Sequence, residues 1–261
     1  MVDLRAQTAE SYGVDIPTLN TLTTADLRAA LAHGWQDFVA APVFGLFFAA
    51  IYVVGGIALF FGLLAAGDPV WFVAVAAGFP LLAPFAAVGL YEISRRRESG
   101  LALSWGPALG AVRGHGDGQL PVMGVVVLIV FGFWVILARG IFAIFMGQTG
   151  IGFDTLGQLW SLRGVTMLAV GGLAGGAMAV ALFTLTAFSL PMLLDRRVDF
   201  MTAIITSMVA VRSNPGVMAR WAAIIVAMMA LAMVPLFLGL LVVLPLLGHA
   251  TWHLYRRAVA G

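Results

Sequence analysis

The chain predicts an all-α fold: a polytopic membrane protein of six transmembrane helices, built as three repeats of an interfacial helix followed by a helical hairpin. Three observations carry this reading. Of 261 residues, 62% are hydrophobic and only 10% charged, against roughly 25% charged in soluble domains. Apolar runs long enough to cross a hydrocarbon core of about 30 Å recur along the chain. Three shorter stretches repeat one apolar spacing of four, four and three: Leu27, Leu31, Trp35 and Phe38; Leu101, Trp105, Leu109 and Val112; Phe200, Ile204, Met208 and Val211. At about 100° per residue each set falls within an arc of roughly 80°, the greasy stripe of a short helix lying flat on a membrane surface.

Residues 1–24 form a polar tail. It carries Asp3, Glu10 and Asp15, and no short apolar core follows a basic start, so it does not read as a cleaved signal peptide. From 25 to 257 the chain reads as a single membrane domain, with repeats at about 25–97, 98–199 and 200–257. Thr23 is placed to cap the first interfacial helix, with Asp26 three residues on completing a capping box. Each stripe leads through a proline into an apolar run. Pro42 follows Leu27 by 15 residues and Pro215 follows Phe200 by 15, whereas the insert Arg113 to Gly118 lengthens the gap to Pro121.

Spans are expected at about 43–65, 70–92, 121–138 and 165–193, with Gly67, Asp68 and Pro69 as a tight outer turn. The last apolar stretch, Val217 to Tyr255, is 39 residues long and reads as a hairpin turning near Pro235. The arginines decide between five spans and six, because loops kept in the cytoplasm hold most of the Lys and Arg. With six, only Arg139 and Arg163 of the 14 basic residues lie outside; with five, Arg256 and Arg257 would be stranded there. Both termini are therefore expected in the cytoplasm.

The returning spans echo one another. Pro80, Leu81 and Leu82 lead to Leu90, Tyr91 and Arg95; Pro245, Leu246 and Leu247 lead to Leu254, Tyr255 and Arg256; the run 165–193 closes with Pro191, Asp195, Arg196 and Arg197. Repeated units pack around a shared axis, so a pseudo-threefold bundle is expected. Gly171, Gly172, Gly175 and Gly176 put two small-xxx-small pairs on the fourth span, where a neighbouring backbone can approach inside the bundle or, as an alternative, in a homodimer.

Few residues offer chemistry. Cysteine is absent and all 14 basic residues are arginine, which excludes disulfides, thiolate metal sites and lysine nucleophiles. Arg139 is the one formal charge inside an apolar run. It reads as a snorkelling arginine at the outer edge, with Gly140 to Met146 lying along the outer surface; a buried lipid-phosphate site is the alternative. Glu92 and Asp195 end returning spans and read as interfacial partners of Arg95, Arg96, Arg196 and Arg197, with gating as the alternative. His249 and His253 are four apart on one helix face and are weak metal or haem candidates. His33 and His115 fall in cytoplasmic segments and no carboxylate is expected at matching depth, so a structural pair is the favoured reading. No nucleophile-base pair, glycine-rich phosphate loop or zinc-peptidase motif occurs, and no catalytic residue or cofactor is named. The insert around His115 reads as a flexible loop ahead of an anion site. The basic rim, offset by acids, suits lipid headgroups and not nucleic acid.

The elements Asp26, Leu27, then Gly34 to Phe38 and Pro42, together with the run Leu244 to Arg256, resemble a bacterial family of predicted integral membrane proteins, domain of unknown function 2189. The resemblance runs from about Thr18 to Val259 and is specific at its two ends. Some relatives carry a label suggesting cytochrome c oxidase subunit I. Such a subunit needs six histidine ligands and a His-Pro-Glu element; this chain has four histidines and no such element, so that catalytic label is rejected. Two functions are expected to compete. One is a non-catalytic scaffold or accessory partner of a membrane complex, a respiratory one if the relatives' label is followed; the other is a transporter or channel for a neutral or lipidic molecule, with membrane lipids as partners in both.

Overall fold

Prolines mark where most of the helices begin. A computed structural model describes residues 17–65, 83–114, 118–147 and 157–259. These form ten α-helices: α1 Thr24–Ala40, α2 Pro42–Ala65, α3 Ala83–Glu98, α4 Trp105–Gly110, α5 Gln119–Met146, α6 Leu162–Thr186, α7 Ser189–Asp195, α8 Phe200–Ser213, α9 Pro215–Met233 and α10 Leu240–Ala258. Ala41 and Asn214, the residues before Pro42 and Pro215, adopt nearly the same non-helical conformation, φ −137° and ψ 54° against φ −128° and ψ 49°. A following proline forbids the α region to its predecessor. Each N–H nonetheless bonds back, Ala41 to Asp37 O and Asn214 to Val211 O, so one helix stops and the next restarts within a single residue.

Pro191 explains the break between α6 and α7. Its ring and missing N–H disrupt the helix at residue 187, and the chain turns at Ala187 and Phe188. Ser207 of α8 repairs the gap. Its hydroxyl accepts from Phe188 N–H at 3.1 Å and donates to Thr184 O at 2.8 Å. The capping box at Thr23 forms as expected, with Thr23 N–H and Oγ1 donating to Asp26 Oδ2 at 2.8 and 2.6 Å. The last apolar stretch does fold back on itself: α9 ends at Met233, residues 234–239 turn, and α10 returns beside it.

α10 is the helix around which the others gather. It runs antiparallel to α1, with Arg257 bonded to Asp26 at one end and Ala250 against Gly34 nearer the other. A Cβ on Gly34 would lie 2.6 Å from Ala250 N, so glycine is what lets the two backbones touch. The segment before α1 continues the contact through a bridge between Leu19 and Val259. Asn214 anchors that segment by accepting Leu22 N–H at 2.7 Å. The C-terminal ends of three helices meet: Glu98 of α3 and Asp195 of α7 both bond Arg256 of α10.

Four helices are long and apolar enough to cross a membrane by length and composition: Pro42–Ala65, Gln119–Met146, Leu162–Asp195 and Pro215–Met233. The expected second span lies largely outside the described residues, as do the turn at Gly67, Asp68 and Pro69, and Pro80. The sixth expected span, α10, keeps Pro245 inside it and Arg256 and Arg257 in its last turn.

Two expectations need correction. Gly140 to Met146 is no separate surface segment but the end of α5, which continues unbroken for 28 residues, about 42 Å at 1.5 Å per residue. The protein covers the three stripes unequally: Leu31 of α1 and Phe200, Ile204 and Val211 of α8 are half-buried against the core, whereas the middle stripe stays open. Leu101, Trp105, Leu109 and Val112 are 46, 39, 49 and 46% exposed, and Trp35 is 48% exposed. The faces turned inward carry smaller residues: Ala30 and Gly34 on α1, Ala108 on α4, Ala203, Thr206, Ser207 and Ala210 on α8. Leu27 and Phe38 are the stripe residues that are buried. Leu101 also precedes its helix, because α4 starts only at Trp105.

Candidate functional site

Two places combine burial with chemistry: a polar knot joining α1, α3 and α10, and an apolar cavity between α3, α6, α9 and α10. The knot follows from the close approach at Gly34. Asp37, three residues on, shares that helix face and is pressed between its neighbours, where it is 6% exposed. An acid in the last turns of a helix also faces the negative end of the helix dipole. It therefore needs donors, and finds three.

Ser94 Oγ donates to Asp37 Oδ2 at 2.6 Å, His253 Nε2 lies 2.8 Å from the same oxygen, and Arg97 Nη1 lies 3.1 Å from Oδ1. Arg97 also donates to Gln36 O at 2.9 Å. Burial opposes ionisation of Asp37; the bonds from His253 and Ser94 outweigh it and hold the carboxyl below its ordinary value. His249 Nδ1 is 2.8 Å from Ser94 Oγ. The single hydroxyl proton of Ser94 points at Asp37, so the bond to His249 assigns the imidazole proton to Nδ1. Nε2 is then a bare acceptor, and it is fully enclosed without a partner among the described residues.

The order of these groups decides what they can do. In a nucleophilic triad the imidazole stands between hydroxyl and carboxylate; here the hydroxyl stands between imidazole and carboxylate. Ser94 is a strut, with no exposed surface. Among the described residues no group of three or more His, Cys, Asp or Glu is placed to hold a metal. The sequence expectation that no carboxylate matches the histidines in depth is overturned by Asp37.

The other sequence-named residues sit around this knot or away from it. Glu92 is bonded by Arg95 at 2.7 Å and by Arg96 at 3.4 Å, as its neighbours in sequence suggest. Asp195 finds partners across the fold, accepting from Tyr255 Oη at 2.8 Å and Arg256 Nη1 at 3.1 Å. The rings of His33 and His253 lie 5.2 Å apart, tilted by 48°. Arg139 is exposed on α5. A Cβ on Gly175 would meet the ring of Trp134 at 2.7 Å, whereas at Gly171, Gly172 and Gly176 it would meet nothing within 4 Å. His115 lies outside the described residues. Asp37 and Ser94 were missed in sequence; the one signal for Asp37 was an acid at the wrong end of a helix.

The cavity measures about 390 Å³, within the range that small-molecule sites occupy. Ala87, Leu90 and Tyr91 of α3, Gly176 to Thr186 of α6, Trp221 to Met229 of α9, and Leu244 to Thr251 of α10 contribute its walls, none of them with a charged side chain. Thr186 and Thr251 turn their hydroxyl protons onto Leu182 O and Leu247 O of their own helices. Gly248 brings α10 close to α3, since a Cβ there would lie 2.5 Å from Leu90 Cδ1.

An all-helical chain with several long apolar helices, most of whose apolar surface faces outward, is an integral membrane protein. Residues 72–195 match the model of a family of unknown function described as predicted integral membrane protein (DUF2189). The match covers the apolar middle of the chain, between the two ends on which the sequence resemblance rests. No curated protein and no solved structure matches the chain.

Proposed function

We propose that this protein holds and passes a neutral, lipid-type molecule within the membrane and transforms nothing. The single observation that carries the reading is the uncharged cavity of about 390 Å³ between α3, α6, α9 and α10. Its surroundings suit such cargo, because an apolar molecule reaches it from the bilayer without leaving hydrocarbon. The knot around Asp37 supports a positioning role, holding α3 and α10, two walls of the cavity, to α1.

The same reading takes the chain as six spans in three repeats, in a bacterial inner membrane with both termini cytoplasmic. Its support is the meeting of the C-terminal ends of α3, α7 and α10 at Arg256, and the shared junction geometry before Pro42 and Pro215. Reporter fusions to the carboxyl end test the sidedness; a periplasmic signal overturns it.

The cavity is tested by extraction. Protein purified in mild detergent is expected to carry an apolar molecule in near-equal amount, detected by mass spectrometry of the organic extract. Gly176→Trp, at a lining position where a Cβ meets nothing within 4 Å, is expected to lose it. Equal extracts from both proteins overturn the reading. A second reading, a scaffold or accessory partner of a membrane complex, draws on exposed apolar residues such as Ile144 and Leu173 at 79 and 77%. A reproducible crosslinked partner and an empty cavity would move the weight to it.

A further inference from the structure

Apart from the cavity, a second opening joins an apolar wall to a cation that bonds nothing. A groove of about 240 Å³ lies where α3, α5 and α7 meet, with Val88, Leu120, Val127 and Leu190 as its buried walls and the exposed Val112 and Arg113 at its mouth. Arg113 is the one charged residue of the lining, and it makes no hydrogen bond or ion pair with any described residue. Arg95, Arg97, Arg256 and Arg257, by contrast, are all held by acids. Gly114, at φ +54°, turns the chain directly after Arg113 and packs on the groove wall, where a Cβ would lie 3.1 Å from Leu120 Cδ1.

The depth of the groove is that of lipid headgroups. At 28 residues α5 measures about 42 Å and outreaches a hydrocarbon core of about 30 Å, so its first turns, where the groove opens, reach the membrane surface. The open stripe of Leu101, Trp105, Leu109 and Val112 ends immediately before Arg113, which sets an apolar face against lipid and a cation beside it.

We propose that this groove holds one phospholipid of net negative charge, its phosphate on the Arg113 guanidinium and the start of an acyl chain against Leu120, Val127 and Leu190. A guanidinium matches phosphate geometry and gives up water more readily than an ammonium. The groove is open on one side, so the remainder of the chain runs on into the bilayer. A zwitterionic headgroup brings its own cation, and no lining residue offers a carboxylate to receive it. Asp199, the acid next to the point where α8 meets α5, is committed to capping α8 through Thr202 N–H at 2.9 Å.

The experiment uses the full chain in detergent, with phosphatidylglycerol, phosphatidylcholine of the same chains, and inorganic phosphate as probes, and counts bound lipid by native mass spectrometry. Phosphatidylglycerol is expected to bind about tenfold more tightly than phosphatidylcholine, the return of one charge-assisted contact. Arg113→Gln is expected to bring that ratio to about one, while Arg163→Gln, at an equally exposed arginine in the first turn of α6, leaves it in place. Gly124→Leu, which fills the groove, is expected to weaken both lipids; Arg113→Gln, with no bond to lose, keeps the test decisive if that variant does not fold. Equal loss in the two arginine variants means diffuse attraction to a basic surface and overturns the site. Equal binding of the two lipids by the unsubstituted protein overturns the charge assignment, and displacement of phosphatidylglycerol by inorganic phosphate at matched concentration overturns the lipid as its source. None of these outcomes touches the cavity between α3, α6, α9 and α10.

Discussion

α10 and the α5–α6 pair invert the rule that holds in water. Eleven of the 19 residues of α10 are buried, although the helix contains two histidines, a threonine and two arginines. Seven of the 28 residues of α5 and four of the 25 of α6 are buried, although both are strongly apolar. In lipid no hydrophobic force draws helices together, and interiors are built from small residues, close contacts and hydrogen bonds. Hydropathy in such a protein therefore reports contact with lipid, and the less apolar helix is the one at the centre.

Removing the polar centre is expected to separate the two regions most sharply. Asp37→Ala leaves Arg97, His253 and Ser94 without their shared acceptor and is expected to cost about 3–5 kcal/mol, read from unfolding by denaturing detergent. Leu173→Ala on α6, at a residue 77% exposed, is expected to stay within about 0.5 kcal/mol. Similar losses in both would erase the distinction between a bonded core and a lipid-facing hairpin.

One substitution applied in both regions should change sign. Gly34→Ala places a Cβ 2.6 Å from Ala250 N and forces α1 off α10, an overpacking cost of about 1–3 kcal/mol. Gly172→Ala meets nothing within 4 Å and gains helix propensity of about 0.5–1 kcal/mol. Paired melting curves of the two variants check this.

Acid should act on the bonded region in a smaller and graded way. Asp26 and Asp37 ionise below the ordinary value of 3.8, so between the folded and unfolded values the unfolded chain binds more protons. Their contribution is complete above about pH 4 and is lost as the pH falls through the folded values. Asp37→Asn is expected to flatten the acid limb of a stability-against-pH curve. The smallest effect is expected at the rim, where Arg257 and Asp26 are 35 and 24% exposed; Arg257→Gln should cost about 0–1 kcal/mol, less as salt is added.

Legibility followed distance along the chain. The box at Thr23 and Asp26, the restarts at Pro42 and Pro215, the pairing of Glu92 with Arg95 and Arg96, and the turn beyond Pro235 all involve residues a few positions apart. Local sterics and hydrogen bonding decide such features. The knot does not yield to that reasoning, because Asp37 lies 57 positions from Ser94 and 216 from His253. The stripes left packing undecided for a related reason. Large apolar residues at helical spacing specify a helix and a greasy face, and in a membrane that face has lipid as an alternative to protein.

Composition and spacing by themselves determined an all-helical membrane chain and its proline-punctuated segments, because each depends on solvent transfer and on near neighbours. Which helix stands at the centre, which acid meets the histidines and where a cavity opens were decided only by the tertiary structure. The reason is physical: two glycines set how closely three helices approach, Gly34 against the backbone at Ala250 and Gly248 against the Leu90 side chain, and a single missing Cβ leaves no periodic mark in a sequence.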